Sequence, residues 1–280
     1  MLAAAIIVFR EIIEAGLIVG IVLAVTRGLP GSRGWIAGGV AAGIVGSCLV
    51  AAFTGALSRA FSGIGQELFN AAILAFAVIM LAWHNIWMAS HGRELAAQLR
   101  QTGAAVTSGA RAPIALAIVV GVAVLREGAE VVLFLYGIAV SAANGWTGLL
   151  AGGLIGLVAG ALFSLLTFAG LLTIPVRYLF AVTSALIALL AAGMAAQSTA
   201  FLEKAGVVDW LGATAWDTSA YLTESSLFGR LLHTLIGYAD QPSLLQVLVY
   251  LVVLAAILGG GRLAAPKRRP APPVSGVPAR

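Results

Sequence analysis

Long apolar stretches alternate with short polar segments along the chain, and seven of these stretches have the length of a membrane-spanning helix. A helix rises 1.5 Å per residue, so about 20 residues cross the roughly 30 Å hydrocarbon core of a bilayer. The pattern therefore predicts an all-α polytopic membrane protein with seven transmembrane helices. The predicted spans are residues 2–26, 35–57, 68–89, 113–140, 146–172, 178–197 and 244–258.

The composition supports this interpretation. Hydrophobic residues make up 61% of the 280 residues and charged residues only 10%, with a mean hydropathy of +1.03. Soluble domains are nearer about 45–50% apolar and about 25% charged, so this chain has too little polar surface to fold in water. Cys48 is the single cysteine, which excludes a disulfide within one chain and a thiolate metal site.

The basic residues outside the spans lie mostly on one side of the predicted membrane. Three of them, Arg59, Lys204 and Arg230, lie on one side, and eleven lie on the side of the C-terminus. Lys and Arg are enriched in cytoplasmic loops, so we predict an external N-terminus and a cytoplasmic C-terminus. The eleven are Arg27, Arg33, Arg93, Arg100, Arg111, Arg177, Arg262, Lys267, Arg268, Arg269 and Arg280.

Two spans carry the same charged motif, Arg-Glu-x-x-Glu. It occurs in "FREIIEAGLIV" of the first span and again in "LREGAEVVLFL" of the fourth. Each copy begins a block of three spans, and because three is odd the second block enters the membrane from the opposite side. This is typical of inverted repeats in secondary transporters. We predict one transmembrane domain, residues 1–261, and a disordered basic cytoplasmic tail, 262–280. Within the domain, the repeats cover about 1–90 and about 113–200, followed by an external segment, 201–243, and a seventh helix, 244–261.

The motif spacing places both carboxylates on one helix face, with the arginine one turn before the second glutamate. Each motif has a net charge of −1, so two facing motifs would carry −2, a surplus that favours a bound cation. Carboxylates are hard oxygen ligands, and ligand type alone leaves iron of either valence, manganese, calcium and magnesium open. The predicted metal ligands are Glu11, Glu14, Glu127 and Glu130, with Arg10 and Arg126 as supports that hold the carboxylates in place.

Other interpretations of these charges exist. The motifs could be ion pairs that hold spans 1 and 4 together, or the carboxylates of a proton-coupled transporter or a channel for another divalent cation or a small solute. An enzyme is not expected, because the chain lacks G-x-S-x-G, H-E-x-x-H and a cysteine nucleophile. His84 and Asn85, in span 3, are more typical of hydrogen bonding between helices than of metal ligation.

Beyond these residues, the chain resembles the oxidase-dependent iron permease family (iron/lead transporters), and among them the permeases of bacterial elemental-ferrous-iron uptake. "REIIEAGL" and "REGAEVVLF" carry the resemblance, together with "GQELFNAAILAFAVIMLAW" and "WDTSAYLTESSLFGRLLHTLIGYADQPS". The resemblance implies iron uptake across a bacterial cytoplasmic (inner) membrane. It also implies the motif glutamates as iron ligands, no permanently bound cofactor, and an external or periplasmic partner that oxidises or delivers iron.

The resemblance also draws attention to acidic residues on the external side. Glu67 begins span 3, where an acidic residue is commonly favoured by the helix dipole, and the resemblance favours a role in iron entry. Asp217, in the family-like "WDTSAY", is the second candidate for entry. The external segment has five acidic residues against two basic ones, which suits either a funnel for cations or an ordinary solvated loop.

Overall fold

The structure is a computed structural model that describes residues 1–60, 66–141, 146–170 and 176–264, and these parts of the chain form eight α-helices. Seven are long and one, α7, has ten residues. The predicted all-α architecture is confirmed. The helices are α1 (Leu2–Val25), α2 (Ser32–Ala60), α3 (Gln66–Thr107), α4 (Ile114–Ser141), α5 (Trp146–Phe168), α6 (Val176–Lys204), α7 (Leu227–Ile236) and α8 (Leu244–Ala264).

Five of the described helices are long and apolar enough to cross a membrane, which makes the chain a multi-pass membrane protein. Helices α1 and α4 are as long as the others, but each carries the three charged residues of one motif within its apolar run. The five candidate spans are Ser32–Ala56, Glu67–Met88, Thr147–Phe168, Ala181–Lys204 and Leu244–Ala264.

Helix α3 is longer than the sequence predicts. It was expected to end near residue 89, but it continues to Thr107 and has 42 residues, about 63 Å of helix. The extension is rich in alanine, leucine, glutamine and arginine, which favour helix. Its buried Leu99 and Val106 pack with Ile18 and Val22 of α1. The hydropathy pattern missed the extension because it detects apolar length and not helix that continues into a polar sequence.

The segment between α6 and α8 packs against the bundle, since Gly237 at the end of α7 meets Gly193 of α6. Ser226 caps α7 by accepting a hydrogen bond from the Gly229 backbone N–H at 2.9 Å. The Glu203 carboxylate joins α6 to α8, because it accepts hydrogen bonds from Ser243 Oγ at 2.6 Å and Gln246 Nε2 at 2.7 Å. The acidic segment is therefore anchored to the transmembrane helices. Helix α8 reaches Ala264, slightly past the predicted start of the tail, and residues 265–280 lie outside the described part of the chain.

Close glycine contacts show that α1 runs parallel to α5. A Cβ atom on Gly152 would contact the Met1 backbone, and one on Gly160 would contact Ile12. Helices α2 and α4 are also parallel. Gly39 contacts Ala117 and Gly43 contacts Val124, so the contacts advance in the same direction along both helices. Side chains are absent where these helices touch, so their backbones approach closely.

Two apolar clusters fill the interior at different heights. The first includes Ile7 of α1, Leu81 of α3, Phe134 of α4 and Ala191 of α6. The second cluster lies toward the other end of α1. It includes Leu116 and Val120 of α4 and the buried residues of the α3 extension. The motif of α1 lies between them in sequence, since the first cluster takes residues 3–7 and the second takes residues 18–22 of that helix.

Candidate metal site

Six ionisable side chains from three helices are buried between the two apolar clusters, and we call this set the charged layer. None has more than 5% of its surface exposed. Burying so many charges is costly unless they are paired or bind a metal ion, so a layer of this kind indicates a function. Its members are Arg10, Glu11 and Glu14 of α1, His84 of α3, and Glu127 and Glu130 of α4.

The first motif forms ion pairs along α1. The Arg10 Nε atom lies 2.9 Å from Glu14 Oε1, one helical turn away, and Arg10 Nη1 lies 3.6 Å from Glu11 Oε1. The arginine is itself only 1% exposed. It therefore offsets part of the repulsion between two carboxylates that share one helix face.

The second motif repeats the pairing with one difference. Arg126 Nε donates a hydrogen bond to Glu130 Oε1 at 3.0 Å, again one turn away. However, 35% of the Arg126 side chain is exposed, and its guanidinium carbon lies 4.4 Å from the centre of the Trp87 ring. Arg126 thus lies at the margin of the charged layer, whereas Arg10 is enclosed by it.

His84 joins the two motifs, and its partners on the other helices are the motif carboxylates. Its Nε2 atom lies 3.4 Å from Glu14 Oε2 and 3.9 Å from Glu11 Oε2, and its Nδ1 atom contacts Glu130 Oε2. The sequence offered a signal for this, because an ionisable residue inside a span is a functional candidate by default. The neighbouring Asn85 does follow the expectation, since it donates to the Ser184 backbone carbonyl of α6 at 3.3 Å.

Four of the side chains could hold one metal ion. One ligand atom from each of Glu11, His84, Glu127 and Glu130 lies within 4.8 Å of the other three. Opposed oxygen or nitrogen ligands of a transition metal are about 4.2 Å apart, given metal–ligand distances of about 2.1 Å. The limit of 4.8 Å is somewhat longer than this, so the four side chains must move closer together to bind one ion. Glu14 lies outside the set, beside His84 and Arg10.

Many polar atoms of the charged layer lack a hydrogen-bond partner among the described residues. They include both carboxylate oxygens of Glu11 and of Glu14, and one oxygen each of Glu127 and Glu130. Most of these oxygens depend on the ion pairs with Arg10 and His84, and a buried carboxylate with too few partners costs several kcal/mol, by order of magnitude. The donor set, mostly carboxylate oxygen with one imidazole, fits a cation such as iron.

Comparisons with known proteins agree with this chemistry. The sequence model described as "Iron permease FTR1 family" matches residues 1–266. The chain belongs to this iron permease family. Family membership makes it a transporter, and the predicted resemblance is confirmed.

The chain is similar to several bacterial members of the family. It is 31% identical over 258 residues to the ferrous iron permease EfeU of Escherichia coli O6:K15:H31, covering 90% of this chain and 92% of that protein. The same values hold for EfeU of Shigella sonnei. EfeU of Shigella flexneri serotype 5b is 34% identical over 194 residues, 69% of this chain and 82% of that protein. No solved structure matches the chain.

The two predicted entry residues of this permease lie away from the charged layer. Glu67 is exposed in the first turn of α3, about 25 Å of helix from His84. Asp217 is exposed in the segment between α6 and α7, where it accepts hydrogen bonds from Ser219 Oγ at 2.6 Å and Gln241 Nε2 at 2.9 Å. The Ser219 side chain and backbone, and then Gln241, lower the pKa of Asp217, so this carboxylate stays charged.

Proposed function

We propose that this protein is an iron uptake permease of the bacterial cytoplasmic membrane, in which iron crosses the bilayer by binding to the glutamates of the two motifs. One observation carries the proposal, namely the convergence of both motifs in a buried layer where four carboxylates share few cationic partners. The proposed iron ligands are Glu11, Glu14, Glu127 and Glu130, and the supports are Arg10 and Arg126.

We propose that α1 and α4 also cross the membrane, which gives seven transmembrane helices. Their charged residues turn inward to the layer, so each helix can still present an apolar surface to lipid. One contact supports this count. Arg27, which follows α1, lies 5.9 Å from the Phe168 ring at the C-terminal end of α5, so α1 ends beside the end of a candidate span.

The inverted repeats are supported by the helix contacts. Adding 116 to the number of a residue in α1 gives its equivalent in α4, as for Arg10 and Arg126. Adding 113 to the number of a residue in α2 gives its equivalent in α5. Under these shifts the contact of Gly156 with Val8 becomes the contact of Gly43 with Val124. The contacts of Gly152 with Met1 and of Gly160 with Ile12 become those of Gly39 with Ala117 and of Ser47 with Gly128.

The same contacts support antiparallel motif helices. Helix α2 follows α1 after the short connection 26–31, and α2 runs parallel to α4. Helix α4 therefore runs opposite to α1, as inverted repeats require. In this arrangement the motif glutamates form a short ladder across the membrane centre. The apolar clusters on both sides close the ladder to water, so transport requires that each cluster open in turn.

The proposed orientation places the N-terminus and the acidic segment outside and the C-terminus in the cytoplasm. Exposed Arg27, Arg33 and Arg111 then lie on the cytoplasmic side, as Lys/Arg bias requires. Iron would arrive past Glu67 and the acidic segment, where the fixed charge of Asp217 adds negative potential and orders the loop. We propose a partner on that side that oxidises or delivers iron.

Radioactive iron uptake into vesicles tests the proposal. Single Gln substitutions at the four motif glutamates keep size and remove charge, and each should lower uptake at least about tenfold, because each removes a charged ligand from a buried site. The matched control is Glu94→Gln, since Glu94 is exposed on the α3 extension and accepts a hydrogen bond from Gln98 Nε2 at 3.4 Å. Normal uptake in any two of the four variants would contradict the four-glutamate site.

A proton-coupled transporter for another solute is the alternative, favoured by the chain of ionisable groups from Arg10 through His84 to Arg126. Such a protein needs glutamates that titrate singly and no ion at their centre. Thermal unfolding with and without Fe²⁺ separates the two functions. Metal-dependent stabilisation supports the iron site, and its absence together with proton-driven uptake of another solute supports the alternative.

A further inference from the structure

We propose that His84 is a nitrogen ligand of the transported ion. The site is then a mixed imidazole–carboxylate site that prefers iron and other transition metals to the alkaline-earth ions Ca²⁺ and Mg²⁺. The inference rests on the proposed iron transport. It adds a ligand from a helix that carries no motif, and it gives a physical basis for selectivity that four carboxylates alone would lack.

The position of His84 is that of a ligand shared by both halves of the protein. Its ring is 1% exposed and lies between the carboxylates of α1 and those of α4. One ring nitrogen belongs to the set of four ligand atoms that lie within 4.8 Å of one another. The other three members are Glu11, Glu127 and Glu130, so the imidazole completes the set in the place where Glu14 was expected.

The surroundings of the ring argue for a metal. A neutral imidazole has one nitrogen that donates and one that must accept a hydrogen bond or bind a metal. Both nitrogens of His84 face carboxylate oxygens, so a charged imidazolium can donate to them in the metal-free protein, whereas a neutral ring leaves one nitrogen facing an oxygen that supplies no proton. A cation between the ring and the carboxylates gives the accepting nitrogen its partner.

Ligand chemistry then sets the selectivity. Ca²⁺ and Mg²⁺ take oxygen ligands, Ca²⁺ six to eight of them, whereas imidazole suits iron and later transition metals. Replacing one oxygen by an imidazole nitrogen weakens the site for the alkaline-earth ions and retains it for Fe²⁺. A permease that meets both classes of ion in its surroundings gains discrimination from this one residue.

The chain has three histidines, which makes the test clean. His91 is exposed, stacks on Trp87 at 5.1 Å between ring centres and lies 2.7 Å from Ser90 Oγ. His233 belongs to α7, where it lies 3.2 Å from Glu224 and 2.8 Å from the Tyr238 carbonyl oxygen. Both can be replaced by glutamine without touching the charged layer.

The first experiment is iron X-ray absorption on the full-length double variant His91→Gln/His233→Gln, purified without a histidine tag and loaded with Fe²⁺ under anaerobic conditions. His84 is then the only histidine. We expect the outer-shell scattering of one imidazole, and its loss in the triple variant that adds His84→Gln. An oxygen-only shell in the double variant would overturn the proposal and leave His84 as an ion-pair partner of the glutamates. This measurement needs no variant of His84 to fold.

The second experiment measures selectivity, with Ca²⁺ and Mg²⁺ as competitors of Fe²⁺ binding. His84→Gln, or His84→Asn if the first variant does not accumulate, should weaken Fe²⁺ binding at least tenfold and leave Ca²⁺ binding within about twofold, since outer-shell changes alone cost about 10–100-fold. Equal weakening for both ions would overturn the assignment. If the proposed iron transport itself is wrong, the result is different, because the unmodified protein would then bind and transport no iron at all.

Discussion

Glu11→Gln should raise the stability of the metal-free protein and weaken the binding of metal. Glu11 is fully buried, and its neighbours Glu127 and Glu130 have ligand atoms within 4.8 Å. At an effective dielectric constant of about 20, repulsion from two such charges is roughly 7 kcal/mol. The attraction to Arg10 at 3.6 Å is about 5 kcal/mol on the same scale. Repulsion exceeds this attraction, so removing the charge should stabilise the metal-free protein.

The same substitution should weaken the metal site. Removing one charged partner from a buried site costs about 2–5 kcal/mol, which is roughly a 30-fold or larger loss of affinity. At a metal concentration of 100 times the wild-type Kd, the wild-type protein gains about 2.7 kcal/mol of stability. The Glu11→Gln variant should gain less than about 1 kcal/mol under the same conditions.

Thermal unfolding in detergent, followed by the fluorescence of the six tryptophans, measures both effects in one experiment. Wild-type and variant are compared in a chelator and in anaerobic Fe²⁺. The contrasting variant is Arg10→Gln, which removes the only arginine enclosed by the charged layer among the described residues and should destabilise the metal-free protein. A Glu11→Gln protein that is less stable in chelator and still gains fully from Fe²⁺ would refute this account of the charged layer.

Three further predictions follow from the geometry. Arg126→Lys should lower iron uptake about tenfold or more, because lysine lacks the planar guanidinium that both donates to a carboxylate and stacks on an indole. Gly156→Ala should destabilise the protein by about 1–3 kcal/mol through a Cβ atom forced against the α1 backbone, whereas Gly148→Ala has open space and should not. Cysteines introduced singly at exposed Ser225 and Ser108, in a background without the native cysteine, should be labelled by an impermeant thiol reagent on intact cells only at Ser225.

Each of these predictions has a result that would contradict it. Arg100→Lys is the control for the arginine, since Arg100 is exposed on the α3 extension, and equal uptake in both lysine variants would show that charge alone matters at Arg126. Equal thermal stability of the two glycine variants would argue against close packing of α1 on α5. Labelling at Ser108 alone would reverse the proposed orientation and place the acidic segment in the cytoplasm.

Much of the architecture could be read from the sequence because lipid imposes simple rules on it. A chain in hydrocarbon must satisfy its backbone within helices, so apolar length alone predicted helices close to those observed, including α5 and α8. The charged motifs were equally visible, because Arg10 and its neighbours stand out against an apolar run. Their spacing along one helix also predicted the Arg10–Glu14 and Arg126–Glu130 pairs, which depend on local geometry.

Contacts between helices were beyond the reach of the sequence. The composition of the charged layer depends on how α3 is rotated and how deep it lies, and hydropathy reports neither quantity. For this reason the sequence predicted hydrogen bonding between helices for His84 and did not place it in the set of four close ligand atoms, which includes His84 and not Glu14. The α3 extension was missed for a related reason, since its burial against α1 is a tertiary contact of a polar sequence.

The difference between the two arginines is also a tertiary property. Arg10 and Arg126 occupy the same motif position and make the same pair one turn away, yet one is enclosed and the other is partly exposed over Trp87. A motif determines which groups a helix presents on one face, because that depends only on backbone geometry. Burial, the partners across helices and the metal that the donors can bind are decided by packing, because they depend on atoms distant in sequence that only the folded chain brings together.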